Sequence, residues 1–438
     1  MVLCRWEILQ AASRELEVVR KGIVSSARDH LRLDQDRREE SLLEAATLSA
    51  MKPRLPEAKV EYAFPPLKEA VDDSFDFERI DEEEPEIDES LFSRILNQNA
   101  RLKIQNLDQR NVELAGMDFR VGEEIYIGDS LRQRVYGLPH LRELAKRGIL
   151  RRVSTKDKKV ILEPDVEGKR VYYIASVEKV KLAKNLDLIV DSKSTTGRTA
   201  TLCLDCSREV IERGFMSPVI TTVQPYAFPI VVKIGETCLA QAALRFKGSE
   251  YMGRDELLKT EKLGLFRGEE KLNMGENGRV IERGVLLTYS TKRALRAKTI
   301  DQIPVPIEMD ARGKYDVSDY FDLIEGDGEI ELEQNRFYLL GTEEGVSLGG
   351  VCGMISRATL EASDLWSHFA GFIWPGFIGR ITMECRTPVK RVISRGEKAA
   401  YVQFDELIGR PPQELMYHGE YQHQDAPMAP KMFKLLAR

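Results

Sequence analysis

The sequence predicts an all-β protein with two strand-rich domains behind a helical N-terminal extension. After residue 90, short segments rich in β-branched and aromatic residues end at turn residues, as at 171–175, 186–190 and 228–234, and this pattern is typical of β-strands. The 31 glycines and 18 prolines are spread along the chain, which suits many short strands joined by turns. A strand, a glycine turn and a strand with a glutamine occur twice, around Gly235 and Gly396.

The first 90 residues differ in composition from the rest of the chain. Residues 1–52 carry apolar side chains at helical spacing among helix-forming residues, so we expect one or two amphipathic helices there. Residues 53–90 contain several prolines and then an acidic run at 81–86. Such a composition buries little apolar area and is typical of a solvated linker.

The strand-rich part divides at a charged, helix-like segment. We place a first domain at residues 91–250, interrupted by a short helix at 141–146, a linker at 251–277 and a second domain at 278–409. Residues 410–438 lose the alternation of a strand. We therefore expect a mobile C-terminal tail.

Composition limits the classes of function. A chain of 438 residues with 42% hydrophobic residues can form two cores. Its net charge of −6 gives no general attraction to nucleic acid, so we expect no nucleic-acid partner. No run of 18 apolar residues is present, which predicts no membrane span. The 6 cysteines do not suggest a disulfide framework, and no secretory leader is evident, so we expect a cytoplasmic protein.

Two segments carry side chains suited to chemistry. The first is KSTTGR at 193–198, where hydroxyls, backbone N–H groups and two cations suit a polyphosphate or the polar edge of a base. Such runs also occur in ordinary turns. The second, residues 370–384, has the pattern of a turn followed by a strand that sets Glu384 among apolar residues.

In this order, the two segments resemble the nucleotide-binding motifs of the dCTP deaminase and dUTPase superfamily. From about residue 91 to 434 the chain resembles the two-domain dCTP deaminases, in which a dUTPase-like β-barrel or jelly-roll domain occurs twice. Further matches to that family lie at 116–122, 227–232, 306–321, 336–340 and 420–427. With this resemblance, we interpret the repeat around Gly235 and Gly396 as an internal duplication.

The resemblance implies hydrolytic deamination of dCTP to dUTP and ammonia without bound zinc. Glu384 would be the general base that takes a proton from the attacking water, and burial would raise its pKa towards the working pH. Ser194 would contact the base edge and the water. Arg198 would stabilise charge.

The resemblance also implies a set of nucleotide-binding residues and partners. Lys193 would help to hold phosphate, and Tyr421 and Gln424 in the tail would close the site against bulk water. We expect the other nucleotide-binding positions to be Thr195, Thr196 and Asp118. Mg²⁺ would enter with the triphosphate, because no carboxylate cage is visible and we predict no metal site in the protein. Members of the family form closed oligomers, which predicts a homo-oligomer.

Neither domain has the whole motif set. In the first, Thr222 stands where the family has its catalytic glutamate, and threonine cannot act as that base. In the second, residues 356–361 have lost the glycine and the second arginine of the hydroxyl motif. We therefore expect one composite site, with Ser194 and Arg198 from the first domain and Glu384 from the second. The alternative is a diverged protein that binds nucleotide or serves as a scaffold.

Four other features of the sequence bear on the predicted function. Trp374 replaces an aspartate that dUTPases use to orient water, which argues against diphosphatase activity. Cys203 and Cys206 form a C-x-x-C without a second pair, so we interpret them as packing residues. The His-x-Glu and Pro-Cys-x-x-Cys motifs of zinc-dependent deaminases are absent from the sequence. His423 lies inside the tail motif and could contact phosphate.

Overall fold

The computed structural model describes most of the chain beyond residue 102. The described residues are 2–3, 103–113, 116–128, 135–165, 169–182, 186–207, 211, 216–275, 280–281, 284–356, 366–367, 369–408, 416–417 and 419–434. The expected helical extension and acidic linker lie outside these residues, apart from Val2–Leu3, which form strand β1. Among the described residues, no helix is both long and apolar enough to cross a membrane.

The first domain consists of short antiparallel strands. Its elements are β2 Lys103–Gln105, a 3₁₀ turn Gln109–Asn111, β3 Val112–Glu113, β4 Gly116–Gly128, α1 Gly137–Lys146, β5 Arg151–Arg152, β6 Lys159–Leu162, β7 Val171–Lys181, β8 Leu186–Ser192, α2 Ser194–Arg198, β9 Thr201–Asp205, β10 Ser217–Pro225, β11 Ile230–Lys233 and β12 Cys238–Phe246.

A connecting segment and the second domain follow. Their elements are α3 Arg254–Lys259, β13 Leu263–Arg267, β14 Glu270–Leu272, β15 Val280–Ile281, β16 Gly284–Ala297, a 3₁₀ turn Ile300–Gln302, β17 Ile307–Glu308, α4 Val317–Tyr320, β18 Phe321–Glu325, β19 Glu329–Leu332, β20 Phe337–Leu348, β21 Val351–Ser356, β22 Trp366–Ser367, β23 Phe372–Ile373, β24 Ile378–Arg386, β25 Arg391–Ser394 and β26 Lys398–Ile408.

The two domains share one pairing scheme. In the first, β7 lies between β4 and β10, and β12 pairs with β4 and β8. In the second, β20 lies between β16 and β24, and β26 pairs with β16 and β21. A small antiparallel pair accompanies each, β6 with β11 and β19 with β25. The prediction of an all-β protein with two tandem barrel-like domains is confirmed for the described residues.

A buried tyrosine makes the same hydrogen bond in both domains. The Tyr172 hydroxyl accepts the Glu163 backbone N–H at 2.9 Å, and the Tyr338 hydroxyl accepts that of Glu333 at 2.8 Å. Because a buried phenol needs a polar partner, this bond fixes the small β-pair against the central strand in each domain. The repetition of such a detail supports the duplication inferred from the sequence.

The domains pack through one face of the second domain. Phe337 and Leu339 on β20 join a core with Tyr226 and Phe228 of the first domain, and the Phe369 ring stacks 5.6 Å from both Phe337 and Tyr226. Strand β17 of the second domain also adds in parallel to β11 of the first. The interface between the two domains is therefore part of a shared apolar core.

The corresponding face of the first domain is covered by an element of the same domain. Tyr173 on β7 and Ile220 on β10 pack with Leu141 and Leu144 of α1. Thr222 shares this face, because residues two apart on a strand point the same way. The equivalent strand faces thus differ in what covers them, α1 in the first domain and a neighbouring domain in the second.

The described part of the C-terminal tail is packed, contrary to the expectation of mobility. The Phe433 ring lies 5.1 Å from Tyr320 and 5.6 Å from Phe321. The Met432 carbonyl accepts the Lys314 backbone N–H at 2.7 Å. Because Phe433 is buried between the domains, residues 419–434 are held at their far end.

Candidate active site

The hydroxyl motif forms a single buried helical turn directly after β8. Lys193 is extended, with φ −69° and ψ 150°, and Ser194 to Arg198 form α2. Thr195, Thr196 and Arg198 are buried, although their side chains are polar. Burial of polar groups is unfavourable unless they find partners, so this turn depends on what packs over it.

Glu384 lies near the C-terminal end of β24 and is 2% exposed. Burial raises the pKa of its carboxyl to about 8, and the Arg198 guanidinium and the Ala370 backbone N–H partly oppose this shift. The Glu384 backbone pairs with Leu339, a residue that faces the first domain. The carboxylate therefore lies on the face of β24 towards the hydroxyl motif.

Gly197 shows how closely the two segments approach. A Cβ atom placed on Gly197 would lie 3.3 Å from the Glu384 carboxyl carbon and 2.8 Å from Ala370 Cβ. Both contacts join the first domain to the second. The structure thus brings the two segments together within one chain, and only glycine fits at this position without displacing a neighbour.

A cavity of about 50 Å³ lies at this junction. Ser194, Arg198 and Glu384 line it, and so do Tyr421 and Gln424 of the tail. The other lining residues are mainly apolar or aromatic: Ile355, Ala370, Phe372, Ile373, Trp374, Phe377, Ile381, Thr382 and Tyr417. A carboxyl, a hydroxyl and a guanidinium in an apolar enclosure suit proton transfer to and from a polar heterocycle.

The tail holds Arg198 in place. Its Nη1 donates to the Met428 carbonyl at 3.0 Å and its Nη2 donates to Gln424 Oε1 at 3.1 Å. The guanidinium stacks on the Tyr421 ring, 3.7 Å from the ring centre. Within the described residues, the buried Arg198 Nε has no hydrogen-bond acceptor. An acceptor on a bound ligand could satisfy this donor.

The two threonines of the motif differ in their contacts. Thr195 Oγ1 lies 3.3 Å from the Tyr421 hydroxyl, which links α2 to the tail. The Thr196 hydroxyl is buried and makes no hydrogen bond in the part of the chain that the structure describes.

Lys193 and Asp118 form an ion pair at the edge of the motif. Lys193 Nζ donates to Asp118 Oδ2, and Asp118 is buried on β4. The positive charge of Lys193 is therefore balanced by a protein carboxylate. Neither residue lines the cavity, so the structure does not bring these two predicted nucleotide-binding residues to it.

Thr222 lies apart from this junction. Its hydroxyl donates to the Leu204 carbonyl at 3.3 Å, and its strand face is covered by α1. Most of the second hydroxyl segment, residues 357–361, lies outside the described residues. Trp374 lines the cavity and stacks on Phe372, with ring centres 5.9 Å apart.

Two contributors were missed by sequence reasoning. The Asp191 carboxylate, at the end of β8, accepts the Gly371 backbone N–H and so ties the turn before β24 to the first domain. Tyr417 lines the cavity, and its backbone N–H donates to the Pro375 carbonyl at 2.9 Å. Both contacts join distant parts of the sequence, and no local pattern indicates them.

The remaining candidates contribute little to the site. Burial raises the pKa of the Cys203 and Cys206 thiols, which makes them poor nucleophiles and metal ligands. His423 is exposed, with a positive φ of 57°. No three His, Cys, Asp or Glu side chains within the described ranges are placed to hold a metal ion.

Two family models match the chain in tandem. The dCTP deaminase-like model matches residues 88–245, and the model of the 2'-deoxycytidine 5'-triphosphate deaminase C-terminal domain matches residues 259–425. No curated protein matches significantly.

A solved structure has the same fold. The crystal structure of 2'-deoxycytidine 5'-triphosphate deaminase from Agrobacterium tumefaciens superposes with a TM-score of 0.59. The alignment covers 70% of this chain and 90% of that one, at 22% identity. Likeness at this identity concerns the fold. Together with the two consecutive family models, however, it shows that the chain belongs to the two-domain dCTP deaminase family.

Proposed function

We propose that the protein deaminates dCTP to dUTP and ammonia, without zinc, at a composite site between its two domains. The observation that carries this proposal is the approach of Gly197 to Glu384, which sets the hydroxyl motif of one domain against the carboxyl of the other. Each domain supplies what the other lacks.

Glu384 is the general base in this proposal. Its carboxylate takes a proton from the water molecule that attacks C4 of cytosine and gives it to the ring nitrogen. The second proton of the water then passes to the amino group, which leaves C4 as ammonia while the water oxygen becomes the carbonyl oxygen of the uracil base. One water is consumed for each ammonia released. A base with a pKa of about 8 exchanges protons readily near neutral pH.

The other residues bind and enclose the nucleotide. Ser194 contacts the base edge and the water, and Arg198 stabilises the charge that develops during attack. Tyr421 and Gln424 already contact the motif in the closed tail and exclude bulk solvent. Mg²⁺ would arrive bound to the triphosphate. Cytoplasmic location and homo-oligomerisation stay predictions.

The direct test is incubation of the purified protein with dCTP and Mg²⁺, followed by measurement of ammonia and dUTP. We expect Glu384→Gln to lower kcat by about 100- to 10,000-fold, the usual contribution of general acid–base catalysis. Glu331→Gln, the same exchange at an exposed strand position, is the control. Equal turnover by wild type and Glu384→Gln would refute the assignment of the base.

A second function, nucleotide binding without turnover, is favoured by one observation. Trp374 lines the cavity where the family has an aspartate, and an indole cannot accept a proton from water or contact a sugar hydroxyl as a carboxylate does. In that case dCTP would bind to the wild-type protein without release of ammonia.

A further inference from the structure

Asp191 lies at the end of β8, just before the hydroxyl turn α2, where the two domains meet. It pairs with Gln241 in the register of β8 and β12, and the Lys193 backbone N–H donates to the Leu239 carbonyl at 3.0 Å. Because these contacts continue past Asp191 on both sides, its backbone is fixed. Asp191 is half-buried and does not line the cavity. Any effect that it has on the chemistry must therefore pass through other groups.

The Asp191 carboxylate accepts backbone N–H groups from both domains. Its Oδ1 accepts the Ser192 N–H at 2.8 Å, and its Oδ2 accepts the N–H of Gly371. A Cβ atom placed on Gly371 would lie 2.8 Å from Asp191 Oδ2, which shows how closely the turn approaches. Hydrogen bonds to an ionised carboxylate are shorter and stronger than neutral ones. The carboxylate therefore holds the turn before β24 against the end of β8.

The same turn contacts Glu384. The Ala370 backbone N–H donates to the Glu384 carboxyl, and the next N–H along the chain, that of Gly371, donates to Asp191. The Gly371 carbonyl accepts the Ile355 N–H at 2.8 Å, so β21 also supports the turn. Consecutive N–H groups thus link two carboxylates, one from each domain. A displacement of the turn would change both contacts.

Asp191 also acts on Glu384 through its charge. Burial raises the pKa of Glu384 to about 8, the Arg198 guanidinium lowers this pKa, and the Asp191 carboxylate raises it. Lys193 and Asp118, beside α2, form an ion pair without net charge. The first domain therefore sets one positive and one negative charge against the buried carboxyl of the second.

The other titratable groups around Glu384 are neutral near pH 8. The tail contributes the phenols of Tyr417 and Tyr421 to the cavity. On β24 itself, Cys385 points to the opposite face, and its Sγ lies 3.7 Å from the Tyr289 hydroxyl. Burial raises the pKa of the Cys385 thiol to about 12. Asp191 and Arg198 are therefore the charged groups whose removal should change the ionisation of Glu384.

We propose that Asp191 is a positioning residue for Glu384, which it holds against the hydroxyl motif by fixing the turn at Ala370 and Gly371. Its negative charge also makes the ionised Glu384 a stronger base, because it favours the binding of a proton there. The inference rests on the proposed function for the role of Glu384 as the base. The contact through the turn does not depend on turnover.

Two exchanges separate the hydrogen bond from the charge. Asp191→Asn removes the charge and keeps one acceptor, which can still bind the Gly371 N–H, whereas Asp191→Ala removes both. The controls are Asp187→Asn and Asp187→Ala, because Asp187 lies at the other end of the same strand, where it pairs with Lys247 at 3.9 Å. Each control makes the same change in composition and charge away from Glu384.

Protonation of Glu384 is followed without turnover, by infrared spectroscopy of the full-length protein containing isotope-labelled glutamate. The carboxyl band of Glu384 is the one that Glu384→Gln removes, and its intensity is measured against pH in each variant. The pH dependence of kcat/KM for dCTP and the value of kcat on the high-pH plateau are measured in parallel.

We expect Asp191→Asn to move the infrared midpoint and the midpoint of kcat/KM several tenths of a pH unit below those of the wild type, because a negative charge near Glu384 is lost. Asp187→Asn should leave both in place. Asp191→Ala should lower kcat on the plateau roughly tenfold or more, because the turn shifts. Asp191→Asn should avoid most of that loss.

An infrared midpoint in Asp191→Asn equal to that in Asp187→Asn would overturn the proposal, and so would equal plateau kcat values in Asp191→Ala and Asp187→Ala. If the wild type releases no ammonia from dCTP, the proposed function fails, while the infrared midpoints still decide whether Asp191 acts on Glu384. They also decide it if Asp191→Ala does not fold, because Asp191→Asn keeps the size of the side chain.

Discussion

Burial of Glu384 decides its protonation state. With a pKa of about 8, the carboxyl is mostly protonated at pH 7 and becomes a base only as the pH rises. The nearby Arg198 guanidinium lowers this pKa, since a positive charge favours the ionised form. The same arginine that would stabilise developing charge therefore also sets the pH range of the base.

The pH dependence of turnover follows from this arrangement. We expect kcat/KM for dCTP to rise with pH and to reach half of its maximum near pH 8, because the ionised carboxylate is the active form. Arg198→Gln should move this midpoint to higher pH, since it removes the charge that lowers the pKa. Arg151→Gln, at an exposed position in β5, should leave it in place. A midpoint near pH 4.5 in the wild type would contradict the burial argument.

Sequence reasoning at the residue scale identified side chains by their chemistry. Glu384 is conspicuous as a carboxylate among apolar residues, and Ser194 and Arg198 belong to a segment rich in hydroxyls and cations. All three line one cavity in the structure. Their catalytic roles stay predictions. Asp191 and Tyr417 could not be found this way, because their importance depends on partners far away in the sequence.

Gly197 allows the turn α2 to lie close to strand β24. Its backbone lies against Ala370 and the Glu384 carboxyl, where a side chain would collide. The turn and the strand belong to different domains, so this contact also sets the distance between them at the site.

Gly197→Ala tests that contact. The added methyl would meet Ala370 Cβ at 2.8 Å, so the turn or the strand must shift by several tenths of an ångström. We expect kcat/KM to fall roughly tenfold or more, because small displacements of catalytic groups are costly. Gly350→Ala is the control, since the nearest atom to its added Cβ is the flexible Lys262 side chain at 3.7 Å. Unchanged kinetics in Gly197→Ala would mean that the turn does not position the site.

Elements with regular alternation were predicted well, and elements held by distant contacts were not. The strands were evident from β-branched residues between turns. The short helix was expected at 141–146, whereas α1 begins at Gly137, because the first turn of a helix tolerates a proline such as Pro139. The expectation of a mobile tail was wrong for residues 419–434, since the aromatic partners of Phe433, Tyr320 and Phe321, lie far away in the sequence, within a core to which both domains contribute.

At the scale of the whole molecule, the domains form one structure rather than two independent ones. Aromatic side chains from both contribute to one core, and the Arg245 guanidinium on β12 pairs with Asp405 on β26 at 2.9 Å. Sequence reasoning reached the idea of a shared site from complementary losses in the two domains. It could not predict which faces of the two domains meet. That depends on α1, which covers one face of the first domain, and on β20, which packs against the first domain.

A mixing experiment tests whether the site forms within one chain. Ser194→Ala and Glu384→Gln each remove one side of it, from different domains. If the two sides belong to one chain, a co-expressed mixture of the variants should be no more active than the better single variant. If they came from different subunits, about one site in four would regain both residues, and activity would recover accordingly.

The cover that α1 places over β10 has a consequence for stoichiometry. The hydroxyl motif of the first domain lies against strand β24 of the second domain. A contact of this kind between dUTPase-like domains could in principle repeat from one domain to the next. Here the repetition ends at the first domain, because Leu141 and Leu144 of α1 already cover the equivalent strand face, much as capping units end a repeat array. The helix α1 therefore blocks a second, equivalent site at Thr222, and we expect each polypeptide to bind a single equivalent of nucleotide.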